Sequence, residues 1–143
     1  MVNANLLASQ RGLNITEQKA TQIEQYSSLI TVEVESSEGK TIVSTSHIRD
    51  ETHIVRVNDY WIDLVATSGY MLFTDHHDRP GMIGSLGTIT GKHDINIAFM
   101  EVGRLEPRGR ATMIVGLDDP MPQEALTEIN VLPDVISTSV VQI

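Results

Sequence analysis

The sequence predicts an α+β fold in two parts, and three observations predict it. Residues 29–65 alternate apolar and polar side chains with period two, interrupted by tight-turn residues, the pattern of short antiparallel strands. From Tyr70 an apolar extended run gives way abruptly to His77-Asp78-Arg79-Pro80-Gly81 and then to helical spacing. From there to Ile143 the elements follow the order β-α-β-β-α-β, the ferredoxin-like arrangement in which two helices cover one face of a four-stranded antiparallel sheet.

In chain order, Val2 to Gly12 reads as a short helix with Asn3 as cap, Leu6 and Leu7 on its apolar side and Gly12 as its stop. Asn14 to Ser28 is polar-leaning and carries no clear period. Leu29 to Val34, Thr41 to Ile48, His53 to Val57 and Tyr60 to Val65 then form four strands. The turns between them are Ser36 to Lys40, Arg49-Asp50-Glu51 and Asn58-Asp59. These strands imply an antiparallel meander with the N-terminal helix over one face. Thr67-Ser68-Gly69 is short and small-residued and marks a boundary, giving domains at 1–67 and 68–143.

In the second part Tyr70 to His76 is a strand. Pro80 fixes φ and has no N–H to lose, so it suits the first turn of a helix, with Asp78 just ahead as the cap. Ile83, Leu86, Ile89 and Thr90 share one helical stripe, and Gly91 is placed to end it. Ile95 to Val102 is a second strand, Arg104 to Gly109 a hairpin turn and Ala111 to Leu117 a third strand. Asp118-Asp119-Pro120 opens a helix in which Ala125, Leu126 and Ile129 share a face. Pro133 stops it, and Val135 to Ile143 is the last strand.

Composition narrows the function classes. Of 143 residues 41% are hydrophobic, enough for a packed core, and no run approaches the apolar length of a membrane span. A net charge of −9 argues against nucleic acid, whose phosphates demand a basic face. The absence of cysteine excludes disulfides, a thiolate nucleophile and a zinc–thiolate site. A cytoplasmic protein without nucleic-acid or membrane partners is the expectation.

Motifs with chemistry are few. No dinucleotide fingerprint, P-loop or nucleophile elbow occurs. Glycines 81, 84 and 87 recur every three residues and suit close packing. His76, His77 and Asp78 lie in a row, but neighbouring strand side chains point to opposite faces, which disfavours a shared metal. No catalytic constellation assembles, so the chain alone does not read as an enzyme. The positive signal is His76 at a strand end, Asp78 at a helix head and Asn96 near the start of the next strand, beside the helix N-terminus only if those strands pack in a particular order. A helix N-terminus with outward amides suits a small anion such as a carboxylate. The same residues also admit a plainer description: Asp78 as a cap, Asn96 as a turn residue and His76 as incidental.

With these residues in view, the second half resembles an ACT domain, the small amino-acid-sensing module of metabolic enzymes. The likeness rests on H-x-D-R-P-G at 76–81, D-I-N-I-A at 94–98 and E-P-x-G at 106–109. V-N-A-N-L-L-A at 2–8, Y-S-S-L-I-T-V at 26–32 and I-V-R-V-N-D-Y at 54–60 are similar to the intervening domain of long-form D-3-phosphoglycerate dehydrogenases. The resemblance implies the C-terminal regulatory portion of such an NAD-dependent enzyme of serine biosynthesis. Substrate- and nucleotide-binding domains would precede Val2, and Met1 would be an added start. It also implies an L-serine site formed by His76, Asp78, Arg79, Pro80, Gly81, Met82, Ile83 and Asn96. Asp94 stands where glycine is common in the family.

Amides around Gly81 to Ile83 would accept the carboxylate, Asp78 would pair with the ammonium, and Asn96 would supply a donor and an acceptor. ACT domains of this family pair side by side, so a homo-oligomer with effectors at the seam is implied. No catalytic residue and no metal is expected here, and the NAD site belongs to the preceding domains. In the first half, Lys40, Arg49, His53 and Arg56 are too scattered for an anion site and read as a solvated strand face. Two other parents fit the same modules: an L-serine dehydratase with an ACT-containing regulatory part, or an oligomerisation module that binds nothing.

Overall fold

A computed structural model describes residues 3–19, 26–37, 39–67 and 69–143. Helix α1 (Ala4–Gln10) precedes four strands, β1 (Ile30–Ser36), β2 (Gly39–Ile48), β3 (Glu51–Val57) and β4 (Tyr60–Leu64). They form an antiparallel meander in the order β1-β2-β3-β4. Arg49 and Asp50 both take positive φ, which matches a two-residue hairpin turn and pairs Ile48 with Glu51. The second half holds β5 (Tyr70–His77), α2 (Met82–Lys92), β6 (Ile97–Arg104), β7 (Arg110–Leu117), α3 (Gln123–Asn130) and β8 (Val135–Gln142). Its sheet has the order β6-β7-β5-β8, the ferredoxin-like topology that the sequence predicts.

Helices α2 and α3 cover one face of that sheet. Leu72, Leu86, Met113, Val115, Leu117, Ala125 and Ile129 are fully buried between them. Each large side chain among them contributes roughly 1.5–3 kcal/mol through burial. The other face packs on β3 and β4 through a second core of Val57, Tyr60, Ile62, Leu64, Met71 and Ile114. Here β4 crosses closely over β6. A Cβ at Gly103 would stand 2.9 Å from Tyr60 Cβ and 3.0 Å from Ile62 Cγ2, so only glycine fits without displacement.

Several sequence expectations need correction. Asn3 sits at the N-cap of α1 but makes no side-chain cap bond, and α1 buries Ala8 while Leu6 and Leu7 stay exposed. Strand β1 alternates in sequence, yet all seven residues are exposed because it is a sheet edge beyond the reach of the second core. Asp78 is not the cap of α2. The helix starts four residues later, behind Gly81 at φ 95°, which no side chain caps. Its buried stripe is Met82, Leu86, Ile89 and Thr90, whereas Ile83 is 55% exposed.

Gly91 lies inside α2, and the chain turns away at Asp94, a non-glycine at φ 55°. That left-handed conformation gives glycine an advantage at this position. Helix α3 begins at Gln123, past the Asp118-Asp119-Pro120 signal. Nothing lies within 4 Å of a Cβ placed on Gly84 or Gly87, so their spacing does not serve packing within the chain. Val2, Ile23, Glu38 and Ser68, which enter the helix, loop, turn and boundary expectations, fall outside the described residues.

Candidate functional site

The β5–α2 connection and the β6–β7 hairpin meet at one end of the second sheet. They enclose an open cleft of about 380 Å³ lined by His76, Asp78 to Ile83, Val102, Arg104, Pro107 and Arg108. That size lies near the low end of ligand pockets, about 300–1,000 Å³. Alternation along β5 sends His76 inward and His77 outward. His76 is 2% exposed, with Nδ1 3.2 Å from the Thr74 carbonyl oxygen. If Nδ1 carries the proton, Nε2 is left as an acceptor.

Asp78 is the electrostatic centre. Its amide donates to the Gly109 carbonyl at 2.8 Å, which fixes the loop against the hairpin. Its Oδ2 accepts from Arg104 Nη1 at 2.9 Å and from the Arg108 amide at 3.2 Å. The Arg104 hydrogen bond, and then the Arg108 amide, hold the Asp78 carboxyl below the usual carboxylate range. The 106–109 turn aims that amide: Gly109 N–H donates to Glu106 O at 3.2 Å, and Arg108 takes φ 61°. On the opposite wall, Arg79 lies 3.9 Å from Asp134. Of the first-turn amides of α2, that of Met82 donates to the Arg79 carbonyl at 3.3 Å, while those of Ile83 and Gly84 have no intrahelical acceptor.

Seven of the eight sequence-derived site residues therefore share this cleft: His76, Asp78, Arg79, Pro80, Gly81, Met82 and Ile83. Asn96 does not. It precedes β6 at the other end of the sheet, where its Nδ2 donates to Asp118 Oδ2 at 2.6 Å. Both β5 and β6 are antiparallel to β7, which lies between them, so they run the same way and start at the same end of the sheet. The length of β6 separates Asn96 from the cleft by about 23 Å at roughly 3.3 Å per residue.

The residues that sequence reasoning missed are Val102, Arg104, Pro107 and Arg108. Parallel β5 and β6 end together, so the predicted topology itself put Arg104 beside Asp78. Elsewhere, His53 hydrogen-bonds Asp63 at 2.5 Å, and Arg56 lies over the Trp61 ring at 5.6 Å. Both fit a strand face with its own partners. Among the described residues no group of three His, Cys, Asp or Glu is placed to hold a metal ion. No helix there is long and apolar enough to cross a membrane.

A ferredoxin-like sheet with an open cleft at its β–α corner is an architecture with room for a small ligand. The ACT domain family model matches residues 70–134, and the model of the D-3-phosphoglycerate dehydrogenase intervening domain matches residues 1–58. D-3-phosphoglycerate dehydrogenases match along nearly the whole chain. That of Synechocystis is 37% identical over 90% of the chain, that of Archaeoglobus fulgidus 34% over 100%, and that of Bacillus subtilis 32% over 99%. The chain spans 23%, 27% and 27% of those relatives' lengths. It belongs to the D-3-phosphoglycerate dehydrogenase family, as the intervening-plus-ACT regulatory region.

Proposed function

We propose that this chain is the L-serine-sensing part of a cytoplasmic, NAD-dependent D-3-phosphoglycerate dehydrogenase, with an intervening domain at 1–67 and an ACT domain at 68–143. It contributes no catalytic group of its own. It conveys effector occupancy to the catalytic domains of the parent polypeptide and joins subunits. The cleft at the β5–α2 corner carries this reading, because it sets a carboxylate beside free helix amides. A serine ammonium pairs with Asp78, its carboxylate faces the amides at Gly81 to Ile83, and its hydroxyl lies toward His76. Proline and the left-handed glycine at 80–81 bring the amides close without side-chain bulk.

Asn96 takes part only through a second copy. Strand β6 is a sheet edge. Antiparallel pairing of β6 with its counterpart about a two-fold axis places the start of one strand against the end of the other. Asn96 of the partner copy then arrives beside Arg104, at the mouth of the cleft. Two symmetric sites form across the seam, and serine favours the arrangement that completes them, to the extent that it binds that arrangement better.

Calorimetric titration with L-serine, D-serine and glycine tests the assignment. Saturable binding of L-serine in preference to its enantiomer is expected, with at least tenfold loss in Asn96→Ala. A folded dimer that takes up no L-serine contradicts it.

A further inference from the structure

The proposed site contains a conflict that the sequence does not show. The carboxylate meant for the ligand's ammonium is already held by Arg104, whose Nη1 stands 2.9 Å from Asp78 Oδ2. The guanidinium is anchored from one side only. Val102 and Arg104 project from the same face of β6 into the cleft, and the Arg104 side chain is 55% exposed. Among the described residues Asp78 is the only hydrogen-bonding partner of that guanidinium. A lone amine entering the cleft would have to displace Arg104 and leave it unpaired. A lone carboxylate could take the α2 amides and draw the guanidinium away, but would leave Asp78 without a cation. A zwitterion answers both charges, because its ammonium takes Asp78 while its carboxylate takes the released guanidinium.

We infer that Arg104 is a specificity-determining residue of the cleft: the Arg104–Asp78 pair is a preset charge dipole that opens around an α-amino acid zwitterion and rejects ligands carrying only one of its charges. The inference rests on the serine-site reading and adds to it a carboxylate-binding side chain beside the α2 amides. Arg108 assists by keeping its amide on Asp78 at 3.2 Å while Arg104 turns from the aspartate to the ligand. The fork geometry of guanidinium matches a carboxylate through two parallel N–H donors, which a lysine ammonium cannot reproduce.

Calorimetry on the whole chain, with L-serine, ethanolamine (serine without its carboxylate) and 3-hydroxypropanoate (serine without its ammonium), tests this. Wild type is expected to bind serine and neither truncated ligand measurably. Arg104→Gln should lose at least tenfold in serine affinity yet hold ethanolamine no worse than wild type does, because Asp78 is then free. Arg104→Lys should fall between the two. Serine binding that is unchanged or tighter in Arg104→Gln overturns the inference and makes Arg104 a competitor for Asp78, with the serine site itself intact. Failure of wild type to bind serine overturns the site reading and this inference together. The emission of Trp61, the single tryptophan, reports whether each variant is folded.

Discussion

At the scale of single residues, Asp78 shows how one side chain changes role when its surroundings are known. Its position before Arg-Pro-Gly suggests a helix cap. In the fold it caps nothing and instead gathers Arg104 and the Arg108 amide from the neighbouring hairpin. Because those bonds lower its folded-state pKa, its stabilising contribution is complete above the ordinary value of 3.8 and is lost as pH falls through the depressed one. Thermal midpoints followed down the acid limb should therefore fall less steeply in Asp78→Asn than in wild type. An unchanged slope would mean that the pair does not persist in solution. Glu128, whose pKa is lowered by hydrogen bonds from Lys92 and then His93, acts in the same direction, so Glu128→Gln serves as the comparison. His76 is legible in the sequence as a strand-end histidine, and its burial emerges only in the fold. Arg104 was not singled out, because an arginine closing a strand looks like any solvated charge until the neighbouring strand is aligned with it.

At the scale of elements, β6 is a wall shared by two compartments. Val102 and Arg104 line the cleft, while Gly103 between them lets β4 approach from the other side. Gly103→Ala sets a methyl group against Tyr60 Cβ, on the backbone side of a buried residue, where it cannot swing aside. Overpacking of this kind costs about 1–3 kcal/mol, and chemical denaturation should show a loss in that range. A neutral result would mean that the two sheets separate readily. Burial also raises the Tyr60 phenol's pKa, with Asp75 across the interface adding to it, so the contact joins charge as well as apolar surface.

The elements themselves were largely legible. Period-two alternation located β2, β3 and β4, and the turn residues fixed their hairpins. Helix starts were harder, since Asp78 and Asp118 are good local caps that hydrogen bonds elsewhere and loop geometry leave outside the helices. The exposed Ile83 departs from its expected stripe for a related reason. A spacing of three or four names a stripe but not which neighbouring stripe faces the sheet. Leu6 and Leu7 show the same limit, because a helix of seven residues carries apolar side chains whose burial depends on partners outside it.

At the scale of the whole molecule, the two sheets face one another across a common core, so the two halves of the chain are packed layers rather than beads on a linker. In the proposed function, the unpaired β6 edge and the distance between Asn96 and the cleft have one joint explanation, a site completed by a second chain. The sequence alone placed Asn96 in the ligand set by resemblance, and strand direction explains why one copy cannot bring it there. The most direct test of a seam site is complementation by mixing. Asp78→Asn and Asn96→Ala chains, each expected to bind L-serine at least tenfold more weakly than wild type on its own, are exchanged into mixed dimers and titrated by calorimetry. In a mixed pair the Asp78 of one chain faces the Asn96 of the other, so one intact site is regenerated and serine binding should return. Two binding-deficient variants that stay silent after verified subunit exchange would contradict the account of a site shared across the β6 edge.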